Sequence, residues 1–168
     1  QYTSSAASDV YKRQAKDFRT WAASWKTGAR LAMVSEASEK EISQLPELHR
    51  EAVENSEKDG FPPYVEWCGR YLKGTEGLAK LAESGNLPGE TDKERMATML
   101  AVIDTVAADL GNTRAVCRSS YIRPMFMEDW DDRVFLDRWN EAKKGQIRGE
   151  NMWPDETAAI NYMKKWEE

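Results

Sequence analysis

Apolar positions recur at helical spacing through most of the chain. From about Ala15 to Val34, Phe18, Trp21, Ala22, Trp25, Ala29 and Ala32 form one stripe. Lys16, Arg19, Lys26 and Arg30 form a second, within roughly 80° of one another on a 3.6-residue helix. The first stripe predicts a core face and the second an anion-facing one. Ser35 to Asp59 carries scattered Ile42, Leu45, Leu48 and Val53 among acidic residues, which predicts a mostly solvated helix interrupted near Pro46. "DGFPP", Asp59 to Pro63, reads as a turn. Tyr64 to Leu72, with Val65, Trp67, Cys68, Tyr71 and Leu72, reads as a short helix broken by Gly74 and Gly77. "GLAKLAESG" reads as another short helix and "GNLPGE" as a loop.

The clearest helix follows. Thr91 and Glu94 form a capping-box pattern, Met96, Met99, Leu100, Ile103, Val106, Ala107 and Leu110 an unbroken apolar face, and Gly111 a stop. A short helix is predicted from about Thr113 to Tyr121, ended by Pro124. Another runs from about Glu128 to Lys144 through Val134, Phe135, Leu136 and Trp139, and stops at Gly145. A last amphipathic helix starts near Pro154 with Ile160, Met163 and Trp166. Tryptophans in this tail read as core cover. No β-strand, internal repeat or phosphate-binding glycine loop stands out, so the predicted fold class is mainly α.

Composition narrows the classes. With 168 residues, 40% hydrophobic and 32% charged, the chain can build one soluble domain with a real core. No apolar run approaches the roughly 20 residues needed to span a membrane, and no secretory signal is visible. The net charge of −5 argues against a nonspecific nucleic-acid coat, yet Ala15 to Val34 holds four basic residues against one acidic. Cys68 and Cys117 lie far apart beside a lone histidine, His49, which excludes a recognisable zinc pattern and a disulfide framework. A reducing cytoplasm is the default compartment. His49, in the acidic stretch, is expected to be exposed, and Cys117 to be a packed small residue.

The N-terminal "DVYKRQ", Asp9 to Gln14, is the hexapeptide encoded by one frame of a transposon mosaic-end sequencing adapter, and "QYTSSAAS" before it is low-complexity. The expectation is that residues 1–14 are not native, that genuine sequence starts near Ala15, and that the gene continues upstream.

"NTRAVCRSSYIRP", Asn112 to Pro124, sets three arginines around one tyrosine. On a helix Arg114, Arg118 and Tyr121, at i, i+4 and i+7, share a face. A phenol beside guanidinium groups is either a surface patch or a nucleophile aimed at phosphate. "AKDFRTW", Ala15 to Trp21, and "LGNTRAVCRSSYIRP", Leu110 to Pro124, resemble the two C-terminal motifs of type IB DNA topoisomerases of the bacterial, poxvirus-like branch. The resemblance covers about 35 residues directly. It leaves out Ser35 to Gly89, longer than the usual spacer, and the tail after Pro124.

The resemblance implies the helical C-terminal part of the topoisomerase IB and tyrosine recombinase catalytic domain, here residues 15–124 with an acidic helical spacer at about 35–90 and a C-terminal extension over 125–168. It assigns Tyr121 as the nucleophile, Arg19 as an active-site arginine and Asn112 as the phosphate contact that is histidine in other branches. Lys16, Arg114, Arg118, Lys26 and Arg30 are the candidate DNA-backbone contacts. Where the family has histidine this chain has Arg123. The family's other arginine and its general-acid lysine would fall before Ala15, so residues 15–168 alone are not expected to relax DNA.

The implied activity is relaxation of double-stranded DNA through a transient 3′-phosphotyrosyl nick, by a monomer, with no cofactor and no metal, in the cytoplasm on the nucleoid. Guanidinium groups suit the extra charge of the phosphoryl transition state, because they stay protonated and donate paired hydrogen bonds. A tyrosine near its usual pKa of about 10 is a poor nucleophile, and Arg118 one turn back would favour phenolate. Two alternatives stand beside this reading. A tyrosine recombinase would usually show His-x-x-Arg and Leu-Gly-His where Lys16 and Asn112 stand. A non-catalytic DNA-binding remnant would need neither.

Overall fold

A computed structural model describes residues 4–145 and 152–167. Residues 1–3 of the suspect N-terminus, and residues 146–151 and 168 of the C-terminal extension, lie outside the described residues. The chain is mainly helical, with one two-stranded sheet among the described residues. No described helix is long and apolar enough to cross a membrane.

The first helix, α1, spans Ser4–Glu36 rather than starting near Ala15. Its early stretch contains Ala, Lys, Arg and Gln and neither Gly nor Pro, so nothing interrupts it. From Asp9 to Arg19 it is exposed almost throughout, and from Ala23 onward it is nearly enclosed. The predicted core stripe is therefore only partly the real one. Phe18 is 76% exposed, while Ala23, Leu31 and Val34, outside the stripe, are fully buried. Gly28 explains the tight enclosure: a Cβ there would lie 2.8 Å from the Trp139 ring and 3.2 Å from Phe126.

The acidic stretch forms α2, Glu39–Asp59, with no break at Pro46. Pro46 sits in the eighth position of that helix, where its ring removes one backbone donor but leaves the remaining ladder to carry the helix on. Ser38 and Glu41 cap α2 reciprocally, and Gly60 ends it in the left-handed region at φ 77°. The segment read as a helix over Tyr64 to Leu72 is instead a hairpin of β1, Tyr64–Trp67, and β2, Arg70–Lys73, antiparallel with Trp67 opposite Arg70. Val65, Trp67 and Leu72 point inward while Tyr64, Glu66, Tyr71 and Lys73 face solvent, a period of two. The two-residue turn takes positive φ at both Cys68 (49°) and Gly69 (75°), the requirement of a type I′ hairpin.

Helix α3, Glu76–Glu83, follows, then α4, Asp92–Leu110, capped by the Thr91 hydroxyl accepting from the Glu94 N–H. His49 is half-buried rather than exposed, its Nδ1 2.9 Å from the buried Thr75 hydroxyl, which joins α2 to the start of α3. The predicted helix over Glu128 to Lys144 is two: α6, Pro124–Asp131, and α7, Phe135–Lys143. Arg133 at φ 63° breaks them, a conformation no helix interior tolerates. Helix α8, Pro154–Trp166, packs on α1 and α7. Phe126, Trp130, Phe135, Trp139 and Tyr162 form one buried aromatic cluster with centroids 5.1–6.5 Å apart, mostly tilted or edge-on. Core cover describes Trp130 and Trp139; Trp153 is 70% exposed.

Candidate phosphate-contacting site

The motif after α4 is built from three local decisions. Gly111 adopts φ 69°, and the Asn112 N–H reaches back to the Ala107 carbonyl at 3.0 Å. This six-to-one bond is the Schellman stop, so Asn112 is placed by the end of α4 itself. Thr113 then caps a single turn, α5, Arg114–Val116, its hydroxyl accepting from Val116 at 3.2 Å. The chain next widens into a π-turn, Cys117–Tyr121, closed by Ile122 N–H to the Cys117 carbonyl at 3.1 Å. A regular helix would set residues five apart about 140° from one another. The π-turn brings Cys117 and Ile122 to the same side, and both are buried. Tyr121, beside Ile122, is half-buried against the core. The i, i+4, i+7 alignment expected for Arg114, Arg118 and Tyr121 is thereby altered, because the helix between them is not regular.

Helix α1 supplies the other side. The Arg19 Nη1 lies 3.5 Å from Asn112 Oδ1, across 93 positions of sequence, as a long polar contact at the surface. The Asn112 amide nitrogen is itself covered and has no hydrogen-bond partner. Five residues after Arg19, the buried Ser24 hydroxyl donates to the Tyr121 carbonyl at 3.4 Å and accepts from the Arg123 N–H at 3.0 Å. One helix thus meets both Asn112 and the backbone of Tyr121.

The basic residues divide. Lys16 and Arg118 are exposed, and neither they nor Arg19 faces a carboxylate within ion-pair distance among the described residues. Lys26 and Arg30 instead share Asp109, at 3.0 and 2.5 Å, and Arg30 also donates to Thr105 at 3.1 Å. Arg30 is 7% exposed, so it is an internal strut and not a surface cation. Arg114 forks onto Asp104 with two bonds of 2.6 Å. Its guanidinium is held still more firmly protonated by that carboxylate. The basic stripe of α1 therefore splits into an exposed part, Lys16 and Arg19, and a part compensated by α4.

Burial pushes the Cys117 thiol up to about 11, which keeps it protonated and inert beside the tyrosine. Sequence reasoning missed Ser24, Asp104 and Asp109. The signal for the aspartates was available: two lone carboxylates inside the apolar run of α4 need cationic partners. Ser24 gave only a weak one, a hydroxyl within a buried run. Among the described residues no three His, Cys, Asp or Glu side chains gather as metal ligands. No family model, curated protein or solved structure matches the chain.

Proposed function

We propose that this chain is the C-terminal catalytic part of a type IB DNA topoisomerase, with Tyr121 as nucleophile and Arg19 and Asn112 as phosphate contacts. The observation that carries the reading is the meeting of Arg19 with Asn112 on a helix that also holds the Tyr121 backbone. In the proposed step the Tyr121 oxygen attacks a DNA phosphorus and forms a 3′-phosphotyrosyl ester. The phenol proton passes to solvent, the bond to the 5′-oxygen breaks, and that oxygen takes up a proton from water. Arg19 would donate to the non-bridging oxygens as charge builds on them, an effect worth roughly 3 kcal/mol per well-placed donor. The Asn112 amide, whose nitrogen is covered, would join it only by turning outward. Bond energy is kept in the ester, so religation needs no nucleotide. The DNA backbone contacts in this reading reduce to Lys16, Arg19 and Arg118; Lys26 and Arg30 are already held by Asp109, and Arg114 by Asp104.

The family's second arginine and its lysine have no match within the two motifs, so the test should not depend on a general acid. A duplex with sulfur in place of the 5′-bridging oxygen at the scissile phosphate has a thiolate leaving group that needs no proton. The chain should form a denaturation-resistant adduct with this duplex, and Tyr121→Phe should form none. Arg19→Ala should slow adduct formation about 10²-fold or more, and Asn112→Ala less, since a neutral donor stabilises less than a charged one. No adduct from the unaltered chain, or an undiminished one from Tyr121→Phe, sinks the reading.

A further inference from the structure

We infer that Ser24 is the positioning residue that fixes the Tyr121 backbone, and through it the phenol, on the helix that carries Arg19. The inference rests on the nucleophile reading above, and it assigns a role to a side chain that neither motif accounts for. Ser24 is fully buried on α1, and its one hydroxyl is used twice. It donates to the Tyr121 carbonyl at 3.4 Å and accepts from the Arg123 N–H at 3.0 Å, across 97 and 99 positions. These two groups bracket Ile122, where the backbone leaves the π-turn for extended geometry at φ −86° and ψ 129°. The Tyr121 carbonyl belongs to the last turn of a helical segment and would otherwise have no intrahelical donor. The Arg123 N–H sits at the cap of α6, at φ −65°.

The clamp therefore fixes the chain where it changes direction, directly at the proposed nucleophile. Cys117 and Ile122 anchor the same stretch by burial, but apolar contact is non-directional and leaves rotation about the segment poorly defined. The hydroxyl adds direction. Arg19 lies on the same helix five residues earlier, so when α1 is closed Ser24 ties the Tyr121 backbone to the element that carries the guanidinium. Ser24 acts only through Tyr121, since its hydroxyl is enclosed and cannot reach a phosphate.

The phosphorothiolate duplex separates this role from a merely structural one. Ser24→Ala should slow the single-turnover rate of adduct formation at saturating duplex about 10- to 100-fold, as expected when a reacting group is displaced by a fraction of an ångström to an ångström. Duplex affinity should stay within about twofold, because the enclosed hydroxyl contributes no phosphate contact. Ser24→Thr, which keeps the hydroxyl, should recover most of the rate. If Ser24→Ala loses its cooperative melting transition, Arg123→Pro decides. Its φ and the extended Ile122 before it accommodate proline, so the variant deletes only the donor of one clamp bond and an exposed ion pair. It should slow adduct formation in the same direction with affinity preserved. An active unaltered chain whose Ser24→Ala, or failing that Arg123→Pro, reacts within twofold of it overturns the inference and leaves the nucleophile reading intact. Failure of the unaltered chain to form any adduct overturns the nucleophile reading, and the positioning role falls with it.

Discussion

Asp109 shows how a single residue decides what its neighbours can do. It takes both Lys26 and Arg30, and Arg30 is nearly enclosed. A buried ion pair contributes little net stability, because desolvation offsets the attraction, but removing one partner strands the other. Asp109→Ala should destabilise the fold by about 3–5 kcal/mol, measured by denaturant unfolding. The double variant with Arg30→Met should recover much of that loss, because it also removes the stranded charge. A surface role for Arg30 predicts a small effect of Asp109→Ala instead. The same reasoning explains why counting cations overstated the candidate DNA contacts. Periodicity places Lys26, Arg30 and Arg114 on plausible faces, but their partners lie on α4, 79 positions from Arg30 and 10 from Arg114. Spacing along one helix carries no information about a second helix packed against it.

At the scale of elements, α1 and the aromatic helices meet without room to spare. A Cβ at Gly28 would come within 2.8 Å of Trp139. Alanine normally stabilises a helix interior by up to about 1 kcal/mol over glycine. Here overpacking should win, and Gly28→Ala should lower stability by roughly 1–3 kcal/mol. A higher thermal midpoint for that variant would mean that the aromatic cluster yields easily. Elements with strong local signals were legible: the Thr91 cap, the glycine stop of α4 and the proline start of α8 stand where patterning puts them. Helix α4 itself is buried almost all round, Thr98, Ala101, Val102 and Thr105 included, rather than on the one predicted face. The hairpin was not. Its strands are four residues each, too short for alternation to outweigh a helical reading of Val65, Cys68 and Leu72. Its turn uses Cys68 where Asn would have announced a type I′ bend. The break at Arg133 was hidden similarly, since a non-glycine residue at positive φ leaves no mark in composition.

Across the whole molecule, the mainly helical class could be read from sequence, while the 3.5 Å contact between Arg19 and Asn112 joins residues 93 positions apart. The π-turn and the Ser24 clamp could not, since both depend on α1 and the Tyr121 segment packing together across nearly 100 positions. Packing also sets the pH range of stability. Cys117 holds its proton to about 11, whereas an unfolded thiol releases it near 8.5–9. Between those values the unfolded chain binds fewer protons, so rising pH favours unfolding. Buried Tyr162, which donates to Asp129, is raised in the same direction and extends the loss above about pH 10. Cys68, pushed up to about 12 by burial and its bond to the Glu41 carboxylate, acts over the same range. Denaturation midpoints should be level below about pH 8.5 and fall toward pH 11. Cys117→Ala should remove part of that fall, and the double variant with Cys68→Ala should flatten its first part. A midpoint that stays level to pH 11 would contradict the buried-thiol account. Helix α1 has a further consequence. It is exposed almost throughout from Asp9 to Arg19 and nearly enclosed from Ala23 onward. A helix opens from its unprotected end, so transient fraying releases Arg19 from Asn112 long before it reaches Ser24 or the core. Amide exchange along α1 should therefore show two regimes: rapid through Arg19, and slow from Ser24 onward at the rate of global unfolding. The guanidinium contact would then cycle open and shut in a chain that stays folded.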